Sequence, residues 1–175
     1  MRRIPTWVVL ILAASLAGSL SVAGLANASE HGAPFHAQIS LVAWSDTGQI
    51  AQCGSLPNVG YTSTYTGTAT ALGQVTDSAT VCLNFTDLAY PNLPYTVYET
   101  FQAANGDLLS DVASGNYNLA TLTGTDGHFT ITGGTGRFLH AQGSGTDNLI
   151  VNVSGNVIGV TYTGTLFYDA SDRSG

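Results

Sequence analysis

From Ala37 to Tyr168 the chain falls into short segments, rich in Thr, Val, Tyr and Gly, in which apolar and polar residues alternate with period two. That is the pattern of half-buried strands rather than of helices. Ala37, Ile39, Leu41 and Ala43 share one face of a first strand, and Val42 and Trp44 on the other face predict that its end is covered from both sides. A loop is expected from Ser45 to Asn58, followed by a Thr/Gly-rich stretch from Tyr61 to Val75 that bends or bulges at Gly67 and Gly73. Val81, Leu83 and Phe85 align on one face and place Cys82 on the other, while Pro91 and Pro94 make Asp87–Tyr95 a loop.

Three hairpin signals follow. Asn105-Gly106 separates Thr96–Ala103 from Asp107–Val112 and suits a type I′ turn, in which both central residues need positive φ. Asp126-Gly127 separates Asn116–Thr123 from His128–Thr132 in the same way. Ser154-Gly155-Asn156 divides two further strands; Leu149, Val151 and Val153 share a face of the first, and Ile158, Val160, Tyr162, Leu166 and Tyr168 a face of the second. The expected fold is therefore all-β, an antiparallel up-and-down barrel of about eight strands, because closure is the usual way for a meander to remove its exposed edges. A two-sheet sandwich fits less well, since the chain lacks long Greek-key connections and a Cys-Trp-Cys core pattern.

The first residues break this pattern. Met1-Arg2-Arg3, an apolar run from Trp7 to Leu25 and the small-residue site Ala26-Asn27-Ala28 read as a secretory signal helix. Ser15, Gly18, Ser19, Ser21 and Gly24 dilute the second half of the run, which favours cleavage over an uncleaved anchor. The expected organisation is a signal peptide at 1–28, an N-terminal extension at 29–36, the barrel at 37–169 and a polar tail at 170–175. The mature chain is then secreted or periplasmic, with no stable membrane insertion after cleavage.

Charge narrows the partners. Of four Lys and Arg residues, cleavage leaves Arg137 and Arg173 against eleven Asp and Glu. Such an acidic surface repels phosphate backbones and anionic lipid and argues against nucleic-acid binding. Cys53 and Cys82 are the only cysteines, and in an exported chain they are expected to pair. Their spacing is not that of a C-x-x-C redox pair.

The stretch Ile131–Gly145 concentrates glycines around Arg137. It is not a phosphate loop, because no Gly-Lys-Ser/Thr leads into a helix. Its expected role is a tight turn with a bulge, in which Gly133, Gly134 and Gly136 let the chain reverse and carry Phe138 into the core. Ile131-Thr-Gly-Gly-Thr-Gly-Arg-Phe138, followed by Ala141 and Gly143, resembles the GGTGRF-x-x-A-x-G stretch of the allene oxide cyclase barrel-like superfamily, which includes plant dirigent proteins and exported bacterial proteins without an assigned activity. Gly67–Gly73 and Asn105-Gly106-Asp107 also resemble its bacterial members, so the likeness covers most of Tyr61–Tyr168. The resemblance implies an eight-stranded antiparallel barrel. It does not carry chemistry over: Gln142 stands where plant dirigent proteins commonly have Arg, Ala71 where bacterial relatives often have His, and no residues match the polar pocket of allene oxide cyclase.

Other candidates are fewer. His31, His36, His128 and His140 show no metal-ligand spacing and read as surface or cavity-rim residues, so neither a metal nor a cofactor is expected. Asp107, Asp126 and Asp147 lie beside Gly or Asn, where acids commonly serve turns. Glu99 alternates with Val97 and Phe101 on what could be an inward face, where its pKa would rise. The preferred alternative turns Tyr98 inward and Glu99 to water, since unpaired buried acids are rare. No catalytic residue is assigned. The leading expectation is an exported barrel that holds a small apolar or aromatic ligand in its mouth. An isomerase or cyclase of the allene oxide cyclase or dirigent type, and a structural envelope module, are the alternatives; the scaffold leaves room for a homo-oligomer.

Overall fold

The structure, a computed structural model, describes residues 32–48, 50–54, 58–85 and 89–169. The expected signal helix, His31 and the tail from 170 lie outside the described residues. Eight strands form a closed antiparallel barrel in chain order: β1 Gly32–Gly48, β2 Val59–Ala69, β3 Gly73–Leu83, β4 Asn92–Ala103, β5 Leu108–Asn118, β6 Thr123–Gly134, β7 Gln142–Val151 and β8 Val157–Phe167. Closure comes from β1 pairing with β8, Gly32 opposite Phe167 through to Ser40 opposite Gly159. The only helical turns among the described residues are 3-10 turns at Ala51–Cys53 and Gly136–Phe138. No helix there is long and apolar enough to cross a membrane.

Alternation decides what faces inward. Along β4, Leu93, Tyr95, Val97, Glu99, Phe101 and Ala103 are buried while the residues between them are less so. β3 buries Val75, Asp77, Ala79 and Val81 in the same rhythm. One end of the barrel is filled. There Phe35, Phe101, Phe129 and Tyr162 pack ring against ring with centroids 5.5–6.3 Å apart, mostly edge to face, as the aromatic quadrupole favours. Leu109, Phe138 and Leu166 complete that plug.

The glycine stretch closes the same end. Gly133 at φ 129° and Gly136 at φ 54° occupy backbone conformations that L residues avoid. A Cβ on Gly134 would collide with the Leu108 carbonyl oxygen. With that crossing made, Phe138 is completely buried. Arg137 ties the neighbouring turns together: its Nη2 donates to the Ala71 carbonyl at 2.6 Å, its Nε lies 3.4 Å from Asp107 Oδ2, and its guanidinium sits 4.8 Å from the Phe138 ring centre.

At the opposite end, Cys53 and Cys82 form a disulfide. Cys82 faces away from the barrel lumen, with its neighbour Val81 inward, so the bridge pins the connection after β1 onto the outer wall of β3. A bridge of this kind persists in oxidising compartments.

Several local expectations change. β1 begins at Gly32, inside the stretch read as an extension, and continues to Gly48. Its far end is not covered from both sides: a bulge between Leu41 and Ala43 leaves Val42 63% and Trp44 65% exposed. Gly67 lies in unbroken register within β2, and the reversal comes at Thr70–Leu72. β4 starts at Asn92 and includes Pro94 and Tyr95. The Pro94 carbonyl accepts from Asn84 N–H just beyond the last named β3–β4 pair, so its missing N–H falls at the end of that ladder, where proline is tolerated. The turn after β4 uses Gly106 at φ 90° but not a positive φ at Asn105, so it is not type I′; Asn105 instead accepts from Asp107 N–H. Asp126-Gly127 is no hairpin. β6 runs through it, Asp126 adopts φ 56° beside a break in the β5–β6 register, and the chain reverses earlier, at Leu119–Leu122. Positive φ serves a bulge as well as a turn, which is why the dipeptide alone misleads.

Candidate functional site

Beyond the aromatic plug the barrel is open. A cavity of about 370 Å³ enters from the end that carries the β1–β2, β3–β4, β5–β6 and β7–β8 connections. Its wall is mainly apolar and aromatic, including Leu41, Val81, Leu93, Val97, Leu149 and Val160, and Trp44, Tyr61 and Tyr117 stand among its lining. Among the described residues no Lys, Arg or His lines it.

The floor is acidic. Glu99 from β4 is 5% exposed and accepts a hydrogen bond from the Tyr162 hydroxyl of β8 at 2.7 Å. Asp147 from β7 is 4% exposed, and its Oδ2 accepts from the Tyr95 hydroxyl of β4 at 3.0 Å. Asp147 Oδ1 is buried without a hydrogen-bond partner of standard geometry among the described residues. Tyr95 reaches Asp147 past β5 and β6, where Gly115 and Gly127 keep the path clear: a Cβ on Gly115 would lie 2.6 Å from the Tyr95 hydroxyl oxygen, and one on Gly127 would lie 2.8 Å from Asp147 Oδ2.

Two more carboxyls lie on the inner faces beside Glu99. Asp111 of β5 is directly opposite Glu99 in the ladder, and Asp77 of β3 is opposite Phe101, one inward position along. Both are buried, and none of their carboxyl oxygens has a hydrogen-bond partner of standard geometry among the described residues. Desolvation dominates their titration. Burial pushes Glu99 up to about 7, against the opposing Tyr162 hydrogen bond. Burial and then the Glu99 charge push Asp77 up to about 9. Asp111 is raised well above the ordinary carboxylate range for the same two reasons. Asp147 is raised by burial, with the Tyr95 hydrogen bond opposing. Burial also raises the hydroxyls of Tyr65, Tyr95 and Tyr162, so near neutrality they remain protonated donors.

Of the residues singled out in the sequence, Glu99 reaches the cavity, whereas Tyr98 points to the other side of β4 and does not line it. The preferred alternative of an outward Glu99 is therefore corrected; the alternation of β4 places it inward. Gly133, Gly134, Gly136 and Phe138 lie at the filled end and do not line the cavity. Asp107 serves a turn as expected, through its hydrogen bonds with Asn105. Asp147 does not: it is a buried strand residue, hidden in the sequence by its glycine-rich neighbourhood. Asp77, Asp111, Tyr95 and Tyr65 were not singled out either. Their signal was parity, since Asp77 lies between Val75 and Ala79, and Asp111 between Leu109 and Ala113, on the inward rows.

His36, His128 and His140 are exposed, and among the described residues no group of three or more His, Cys, Asp or Glu is arranged to hold a metal ion. Neither a protein-family model nor a curated protein matches the chain.

Proposed function

We propose that this chain is an exported barrel that binds a small, largely apolar or aromatic molecule in its open end. The observation that carries the reading is the cavity of about 370 Å³, walled by apolar and aromatic side chains and floored by a few convergent polar groups. That combination is typical of small-molecule sites, where the apolar wall supplies affinity and the polar groups fix orientation. An eight-stranded barrel has just enough interior for one such ligand. The disulfide and the signal-like N-terminus support export. The resemblance of the glycine stretch to the allene oxide cyclase barrel-like superfamily supports the eight-stranded scaffold and brings no chemistry with it. Trp44, at the rim, makes the test direct: titration with small aromatic compounds should change its emission and raise the melting temperature. No change with any such compound would count against the reading.

A second reading has an observation of its own. Glu99, pushed up to about 7 and hydrogen-bonded to Tyr162 at the cavity floor, is poised as a general acid or base near neutral pH. An isomerase or cyclase acting on the bound molecule would need such a group. Glu99→Gln would then abolish turnover in a protein whose unchanged melting temperature shows that it is folded.

A further inference from the structure

The floor of the cavity specifies more than an apolar guest. We propose that the cavity takes a protonated amine carried on an apolar or aromatic body, with the ammonium lodged against Asp147 and Glu99. The inference rests on the binding reading above and deepens it by naming the polar end of the ligand.

Three observations point this way. First, Asp147 Oδ1 is an acceptor with no hydrogen-bond partner of standard geometry among the described residues, on a residue that is almost fully buried and lines the cavity. A buried acceptor left unmatched is costly, and a ligand donor is the simplest group to satisfy it. Second, the hydroxyls beside it are already committed: Tyr95 donates to Asp147 and Tyr162 donates to Glu99. The floor therefore presents acceptors, and a ligand carboxylate placed there would meet oxygen lone pairs and negative charge. Third, the inward acids have no internal counter-cation among the described residues. Arg137, the one Lys or Arg among the described residues, is engaged at the opposite end with Asp107 and Ala71.

The wall fits the same guest. Tyr65, Tyr95 and Tyr162 stand round the floor, and Trp44 and Tyr61 stand in the wall. Aromatic faces attract ammonium groups, and most strongly where water is excluded. A bare metal ion fits less well, because no three-ligand group is arranged for one among the described residues and the wall offers it apolar carbon. A neutral alcohol would satisfy Asp147 Oδ1 but would leave the acidic field unmatched.

Tryptamine, tryptophol and indole-3-propionate carry the same ring with an ammonium, a hydroxyl and a carboxylate. Calorimetric titration of the purified protein at pH 7.5 should give tryptamine at least tenfold tighter than tryptophol, with indole-3-propionate weaker than either. Asp147→Asn should erase the tryptamine preference while keeping tryptophol affinity within about threefold. Tryptophol binding as well as tryptamine to the unaltered protein would overturn the ammonium inference and leave the cavity reading standing. Failure of all three to bind would overturn both, and tighter indole-3-propionate would overturn the inference outright. Because the three-probe comparison needs no variant, poor folding of Asp147→Asn would not shield the proposal. If that variant folds and retains the preference, the assigned role of Asp147 is wrong.

Discussion

Glu99 and Asp111 stand directly opposite one another in the β4–β5 ladder, and both side chains point into the barrel. Two carboxyls placed so close in a desolvated space cannot both ionise cheaply, so the pair holds a proton at pH values where free carboxyls have lost theirs. Asp77 extends the cluster on the β3 side.

This arrangement makes the fold less stable as pH rises. The unfolded chain ionises its carboxyls near pH 4. The folded chain keeps Glu99 protonated up to about 7 and Asp77 up to about 9. Between those limits the folded state binds more protons than the unfolded one, so the contribution of these groups is fully present below about pH 4 and is lost as pH climbs through the folded values. Each lowers stability by at most about 1.4 kcal/mol per pH unit in its window. Among the described residues the titratable groups around Glu99 are Asp77, Asp111, Asp147, Tyr65, Tyr95 and Tyr162, and none supplies a positive charge. Urea midpoints should therefore fall from pH 5 to pH 9. A midpoint that rises over that range would contradict the buried cluster.

Asp77 isolates one member of the cluster. It is completely buried, and neither carboxyl oxygen has a hydrogen-bond partner of standard geometry among the described residues. Asn is close in shape to the protonated acid and cannot ionise, so Asp77→Asn should be nearly neutral at pH 5. At pH 9 it should stabilise the fold by about 1–3 kcal/mol, because only the acid pays for a charge there. Equal destabilisation at both pH values would mean that the carboxyl makes a bond the amide cannot replace.

The barrel was legible because its strands are amphipathic: β4 keeps strict parity and β8 keeps it from Val160 to Leu166, and the Ser154–Asn156 turn falls where the alternation breaks. Ile158 does not share the inward face expected of it: a register shift at Ile150/Val151 leaves it 44% exposed and turns Val157 to the cavity. The acidic floor was not, for a physical reason. Parity puts Asp77, Glu99 and Asp111 on the inward rows, but the expectation that carboxyls seek water overrides parity at each position taken alone. Only the ladder shows that these acids adjoin one another, so that their shared field and protonation make burial tolerable. Asp147 needed information further still, since its partner Tyr95 lies 52 residues away in the chain. Asp126-Gly127 was misread because local φ preference does not distinguish a reversal from a bulge within one strand.

That bulge has a testable purpose. Gly127 lies against Asp147, and a Cβ there would collide with the Asp147 carbonyl oxygen and crowd its carboxylate. Gly127→Ala should therefore disturb the cavity floor, weakening tryptamine binding by tenfold or more and costing about 1–3 kcal/mol of stability. Gly106→Ala is the matched control: its φ of 90° disfavours a side chain, but its Cβ would meet nothing. It should cost about 1 kcal/mol and leave binding unchanged. Equal effects of the two on binding would show that the loss at Gly127 does not come from crowding Asp147.

Arg137 tests whether the two ends of the barrel are separable. Its contacts join three connections at the filled end: the Ala71 carbonyl in the β2–β3 turn, Asp107 after β4, and Phe138 between β6 and β7. The side chain is 20% exposed, so water screens part of its attraction to Asp107, and the hydrogen bond and the stacking over Phe138 carry more of its effect. Arg137→Ala should lower stability by about 1–2 kcal/mol. Arg137→Lys keeps the charge but loses the planar group that stacks and donates at once, and it should recover less than half of that loss. Neither change reaches the open end, so tryptamine affinity at 25 °C should stay within twofold of the unaltered protein. A tenfold loss of affinity in the folded Arg137→Ala protein would show that the turns of the filled end help to set the geometry of Glu99 and Asp147.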